Sequence, residues 1–264
     1  MSLCQTTIKN YKKFGVVLIK NIISKKWIET LAKGIEKNFK NPSQYKCVYE
    51  ELNGKEVFYD DYCNWQKISE YKDFIFNSNI AKVASELMQS KKVNLFHEHV
   101  LIKEPGSTKR TPWHQDQPYY CVDGKDNCSL WIPLDKIVKE ICPEFVKFSH
   151  TWNKQYLPTK FFGHSYEKKD DGLENVPDIS ANVENYDIAS WDLMPGDLIA
   201  FNFSIIHGAP GNLSPNRRRA FSVRFVGDDA TFAKRKGEVS PPFPEVKLNH
   251  GDKMNSPSFP EIKI

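Results

Sequence analysis

Long apolar runs are missing from this 264-residue chain. No stretch approaches the roughly 18 apolar residues that a membrane-spanning helix needs, and the opening MSLCQTTIKNYKKFG lacks the apolar centre of a secretory signal. The six cysteines (Cys4, Cys47, Cys63, Cys121, Cys128, Cys142) include no CxxC pair, which argues against a thiolate zinc site. With no export signal they read as free thiols, and the expected location is the reducing cytoplasm. The final PEIKI matches no peroxisomal or retention tag. Also absent are GxSxG, HExxH on a helix, a phosphate-cradling glycine loop and the paired carboxylates of a glycosidase. Charge of one sign is lacking too: 37 basic residues face 33 acidic ones, for a net +4. The short basic runs Lys25-Lys26, Lys91-Lys92 and Arg217-Arg218-Arg219 form no stripe interleaved with aromatics, so neither nucleic acid nor membrane is an expected partner. A small-molecule substrate is.

What is present suits a folded globular unit: 40% hydrophobic residues, 13% aromatic, thirteen glycines and sixteen prolines. Residues 14–20 (FGVVLIK) predict a strand. Ser24 is a candidate N-cap for an amphipathic helix over 25–39, with Trp27, Ile28, Leu31, Ile35 and Phe39 on one face. A second helix is expected at 79–90. Strands are then expected at 93–103, 111–120, 129–138, 197–207 and 218–227, separated by turn-rich stretches. Helices first and spaced strands after indicate an antiparallel sandwich or barrel, mainly β, with a helical layer packed outside. Residues 151–190, with the charged run Glu167 to Asp171, are long for a plain connection and predict an active-site loop or a decoration. Residues 238–264 carry Pro241, Pro242, Pro244, Pro257 and Pro260 and predict an extended tail lying on a single domain that spans 1–264.

Three residues draw attention as metal ligands. In His114-Gln115-Asp116, a strand would project the imidazole and the carboxylate from one face. His207 ends the apolar run LIAFNFSII and opens the turn Gly208 to Asn212, and Arg218 follows eleven residues later at the head of the next strand, as after a returning hairpin. Two imidazoles and one carboxylate occupy one face of an octahedral iron(II), leaving three positions open. A buried arginine with nothing to pair would be destabilising, whereas one facing a bound dicarboxylate is satisfied. Alternation in the last strand agrees: Arg218, Ala220, Ser222 and Arg224 share a small or polar face, while Arg219, Phe221, Val223 and Phe225 share the other.

From about Tyr11 to Val226 the chain resembles the phytanoyl-CoA dioxygenase family. The segments that carry the resemblance are LIKEPGS (101–107), TPWHQDQPYY (111–120), SLWIPLD (129–135), MPGDLIAFN (194–202) and HGAPGN…RRRAFSVRF (207–225). The resemblance implies a double-stranded β-helix, or jelly roll, with the N-terminal helices packed on one sheet. It implies iron(II) bound by His114, Asp116 and His207, with 2-oxoglutarate and dioxygen as co-substrates. Arg218 would bind the distal carboxylate of 2-oxoglutarate, and Lys103 and Trp131 match positions that help hold it. The implied reaction oxidises 2-oxoglutarate to succinate and carbon dioxide and hydroxylates a small molecule. Ala209 departs from the family pattern, where some members place a serine, and so does Cys142 to His150, where many have a Gly-rich turn.

Two other readings fit parts of the sequence. His97-Glu98-His99, followed by Glu104, has the spacing of a cupin-type metal site, without its flanking glycines. A jelly roll that binds a ligand without turnover would share the fold but would have no need of three open iron positions. Trp113, Gln117, Tyr119, Tyr120 and Arg224 flank the triad in sequence and are candidate substrate contacts.

Overall fold

The computed structural model describes residues 2–50, 56–158 and 173–264. In chain order the elements are α1 (Gln5–Phe14), β1 (Val16–Ile19), α2 (Lys25–Lys40), β2 (Cys47–Glu50), β3 (Glu56–Tyr62), α3 (Ser69–Asn77) and α4 (Ile80–Met88), and then β4 (Asn94–Lys103) and β5 (Thr111–His114). There follow β6 (Val122–Asp123), β7 (Asn127–Pro133), β8 (Glu144–Val146), β9 (Ile188–Ala189), β10 (Leu198–Phe201), β11 (His207–Ala209), β12 (Arg218–Val226) and β13 (Thr231–Phe232). Seven strands form one antiparallel sheet in the order β1-β10-β7-β12-β4-β3-β2, and a second sheet runs β5-β11-β8-β9. This is the expected jelly roll.

Period-two alternation separates the two faces of the large sheet. Val100, Ile102, Leu130, Ile132, Phe221 and Val223 turn outward and are covered by Leu31 and Ile35 of α2, Tyr71 and Phe74 of α3, and Leu87 of α4. The Tyr71 and Phe221 rings sit 4.8 Å apart at the centre of this layer. Burying side chains of this size contributes roughly 1.5–3 kcal/mol each, so the helical layer is held by its apolar stripe. Ser24 does stand at the N-cap of α2, but its hydroxyl makes no cap bond. The opposite face of the sheet, with Asp60, His99, Lys103, Trp131 and Arg218, turns into the roll.

The strand expected over 111–120 ends at His114. Asp116 is helical (φ −73°, ψ −39°) and leads into a single 3-10 turn at Gln117–Tyr119, so strand periodicity is not what brings it beside His114. Backbone bonding explains the break: the Gln117 amide donates to Phe203 O at 2.9 Å, and Gln115 Nε2 donates to Ser204 O at 2.8 Å.

The run 197–207 is likewise two strands. Asn202 accepts the Ser204 amide on its side chain and the Ile205 amide on its carbonyl, making a turn that carries the chain from β10 in the large sheet to β11 in the small one. His207 therefore opens a strand instead of ending one. The link from His207 to Arg218 crosses back between sheets and is not a hairpin within one. It leans on Asn212, whose amide donates to Ser107 O and whose side chain donates to Lys103 O. Gly211 is required beside it, since a Cβ there would lie 2.2 Å from Ser107 O.

The strand expected at 129–138 ends at Pro133. Of 151–190, the described part holds a 3-10 segment at Ser180–Asn185 and strand β9, and the charge run 167–171 lies outside the described residues. The tail docks tightly: Phe243, Met254 and Phe259 are buried against Phe96, Tyr120 and Phe203. Among the described residues no helix is long and apolar enough to cross a membrane.

Candidate active site

His114, at the end of β5, pairs directly with His207 at the start of β11, so the small sheet itself brings the two imidazoles together, with ring centroids 4.2 Å apart. Asp116 enters from the turn that follows β5, and its Oδ1 lies 3.9 Å from Nε2 of each imidazole. One ligand atom from each of the three falls within 4.8 Å of the others, the spread that one metal ion can bridge.

Backbone carbonyls set the tautomers. His114 Nδ1 lies 2.8 Å from Pro112 O and His207 Nδ1 lies 3.1 Å from Ile205 O; a carbonyl only accepts, so both Nδ1 atoms carry the proton. Both Nε2 atoms are left with a bare lone pair turned towards Asp116. Burial lowers the pKa of both imidazoles, that of His207 to about 3. Burial alone would raise the Asp116 carboxyl, but Arg224, the two imidazoles and the Ser129 hydroxyl more than offset it and hold the group ionised. Ser129 Oγ donates to Asp116 Oδ2 at 3.1 Å and Arg224 Nε lies 3.5 Å from that same oxygen, leaving Oδ1 for a metal. Two neutral imidazoles and one carboxylate with a single free oxygen fit a divalent iron.

A cavity of about 550 Å³ opens from this triad between the two sheets. Lys103 and Arg218, cross-strand neighbours on β4 and β12, line it, as does Trp131 of β7. Arg218 is 6% exposed and donates to Ile141 O; among the described residues no carboxylate pairs with it, and burial brings its pKa down to about 10. The arginines on either side differ: Arg217 pairs with Glu104 at 2.9 Å, and Arg219 makes a two-pronged contact with Asp135. An unpaired, buried guanidinium in a cavity wall is a prepared anion site.

The sequence model of the family described as Phytanoyl-CoA dioxygenase (PhyH) matches residues 11–220. The chain belongs to the phytanoyl-CoA dioxygenase family. It is thus an iron- and 2-oxoglutarate-dependent dioxygenase. A probable phytanoyl-CoA dioxygenase of Caenorhabditis elegans is 25% identical over 240 residues, which cover 83% of this chain and 74% of the relative. Among solved structures, the non-heme alpha ketoglutarate dependent carbocyclase SnoK from nogalamycin biosynthesis superposes with a TM-score of 0.79 at 19% identity, covering 99% of this chain and 97% of that one. The epimerase SnoN, in complex with Fe3+, alpha ketoglutarate and nogalamycin RO, does so with a TM-score of 0.75 at 17% identity, covering 98% of each chain. At these identities the two structures speak to the fold.

Within this phytanoyl-CoA dioxygenase family fold, Lys103 is committed to the protein: its Nζ donates to Lys109 O, Ala209 O and Pro210 O at 2.8–3.2 Å. Burial, then Arg218 and Arg110, pull its pKa down to about 6, while three carbonyl acceptors favour the ammonium. The serine missing at Ala209 is thus a place where the backbone anchors Lys103. In the divergent Cys142–His150 stretch, Pro143 and Phe145 form cavity wall. The cupin-type grouping is not assembled. His97 Nδ1 turns to Glu98 O, His99 Nε2 bonds Asp60, and Glu104 is drawn off to Arg217.

The candidate substrate contacts divide. Tyr119, Tyr120 and Arg224 line the cavity, Gln117 is spent on Val122 O and Asn127, and Trp113 donates to Ser180. Unforeseen in the sequence were Tyr45, Asp60 and Tyr62, on or beside strands β2 and β3, and residues 238–242, all of which line the same cavity. Ser240 ties that segment down through its amide to Tyr119 O and its hydroxyl to Tyr62.

Proposed function

We propose that this chain hydroxylates a small-molecule substrate as a single catalytic domain, with iron(II) held by His114, Asp116 and His207 and the distal carboxylate of 2-oxoglutarate held by Arg218. The observation that carries the reading is the pairing, in one cavity, of a three-donor set with a buried guanidinium that has no carboxylate partner among the described residues. Bound iron supplies the redox chemistry that couples oxidation of 2-oxoglutarate to succinate and carbon dioxide with insertion of oxygen into a C–H bond.

The protein's share is binding, orientation and exclusion of water. Pro112 O and Ile205 O keep both Nε2 atoms deprotonated, and Ser129 and Arg224 restrain Asp116 through one oxygen. Arg218 offers a forked donor at a fixed place on β12, and Lys103 adds positive charge beside it while bracing the turn after β11. Trp131, Phe145 and Phe201 furnish an apolar wall around the reacting end. All six cysteines are free thiols, which supports the cytoplasm as the place of action. The test is 2-oxoglutarate turnover: purified, iron-loaded protein should form succinate in an oxygen- and iron-dependent way, and absence of succinate under every substrate tried would count against the reading.

A further inference from the structure

Two adjacent aspartates on β3 are treated very differently by the fold. Asp61 faces the helical layer and is saturated, accepting from Asn38 Nδ2 at 2.6 Å, Ser43 N at 2.9 Å and Asn64 Nδ2 at 2.8 Å. Asp60 faces the cavity and is only 3% exposed. Its Oδ2 accepts from His99 Nε2 at 3.1 Å, but among the described residues its Oδ1 has no hydrogen-bond partner. The Tyr49 hydroxyl also supports the carboxylate, against the burial that disfavours its charge. A buried, acceptor-only oxygen left unsatisfied is destabilising by itself, and it is accounted for if a ligand donates to it.

The surroundings of Asp60 indicate the sign of that ligand. On either side of it along β3, Tyr62 stacks on Tyr45 (centroids 5.1 Å, 7° between planes) and Phe58 stacks on Tyr49 (5.3 Å, 15°), so aromatic rings flank the carboxylate. Ring faces attract cations. Glu238, from the segment tied to Tyr62, brings a second carboxylate to the cavity lining. Of the cavity's own cations, Arg224 stands against Asp116, while Lys103, opposite Phe58, is held by three backbone carbonyls with its Nζ 5.5 Å from the Phe58 ring, and Arg218 lies beside it. Burial disfavours the ionised form of this carboxyl, against the pull of His99 and Tyr49; a hydroxyl would satisfy the hydrogen bond alone, a cation would also favour the charge, and an anion would be repelled.

We propose that Asp60, with the aromatic wall of Tyr45, Tyr49 and Tyr62, forms the substrate subsite and binds a protonated amine on the substrate. This rests on the dioxygenase reading of the cavity and adds the class of molecule it takes.

The probes are cyclohexylamine, protonated at neutral pH, and cyclohexanol, its neutral counterpart, each titrated calorimetrically into anaerobic protein loaded with iron(II) and 2-oxoglutarate. Cyclohexylamine should bind at least about tenfold more tightly than cyclohexanol, and Asp60→Asn should abolish that preference while leaving the iron–2-oxoglutarate absorption band in place. Equal binding of the two probes to the wild type, or a preference that survives Asp60→Asn, would overturn the proposal. Should Asp60→Asn fail to fold, the wild-type comparison decides alone. A missing absorption band in the wild type would count against the iron–2-oxoglutarate assignment, and the amine preference would then be judged by the same titration of the unloaded protein.

Discussion

Arg224 Nε and Asp116 Oδ2 lie 3.5 Å apart, on the carboxylate oxygen that the two imidazoles do not face. With the Ser129 hydroxyl on the same oxygen, this contact divides the carboxylate into a restrained half and a half offered to metal. Arg224→Gln and Ser129→Ala should each weaken iron(II) affinity by roughly 10- to 100-fold without removing the site. Anaerobic iron titration measures this, and unchanged affinity in both variants would show that Asp116 needs no such restraint.

Iron content separates the assigned triad from the histidine pair on β4. His114→Ala, Asp116→Ala and His207→Ala should each lose the metal, whereas His97→Ala and His99→Ala should retain about one iron per chain, since those two rings turn to Glu98 O and Asp60. Elemental analysis of the purified variants checks it; loss in the second pair with retention in the first would favour the cupin-type reading.

Much of the site is legible in the order of residues along the chain. The alternation of Arg218, Ala220, Ser222 and Arg224 against Phe221, Val223 and Phe225 survives in β12, with the second set under the helices. The triad residues meet, but by a route that strand periodicity does not describe. The turn at Asn202 and the break at Asp116 depend on distant partners: Asn127 holds Phe203 across 76 residues and Ser204 holds Gln115 across 89, and no local pattern reports those. Strand β3 leaves no clear periodic signal because its inward positions are Phe58, Asp60 and Tyr62, and a carboxylate in the middle spoils the apolar alternation. Helix α1 buries only Ile8 and Tyr11, too short a stripe to stand out. The tail is legible as extended but not as cavity wall, because that role depends on Tyr62 and Tyr119 across the fold.

Glu98, beneath the helical layer, should govern part of the pH dependence of stability. Burial is the main cause that lifts its carboxyl from 4.5 to about 8, above its value in the unfolded chain. The folded state therefore holds a proton that the unfolded state has released, and stability should fall as pH rises from about 4.5 to about 8 and level off beyond. Glu98→Gln, which keeps the shape and removes the titration, should flatten that fall and be more stable than wild type above pH 8. Urea unfolding across the range measures it; parallel curves for both proteins would contradict the assignment.

One arginine among three consecutive ones is placed to hold 2-oxoglutarate, and the proposed function turns on it. Arg217 and Arg219 each have a carboxylate of their own, Glu104 and Asp135, whereas Arg218 faces the cavity and, among the described residues, bonds only the Ile141 carbonyl. The decisive measurement is a titration of 2-oxoglutarate into anaerobic, iron(II)-loaded protein, followed by the metal-to-ligand charge-transfer band. Arg218→Ala should keep the iron and weaken 2-oxoglutarate by about ten- to over a hundredfold, the roughly 1.5–3 kcal/mol of a charge-assisted contact. Arg218→Lys should recover only part of this, because a point charge cannot reproduce the fork. Arg217→Ala and Arg219→Ala should titrate like the wild type; equal loss across all three arginines, or no band in the wild type, would contradict the assignment of Arg218.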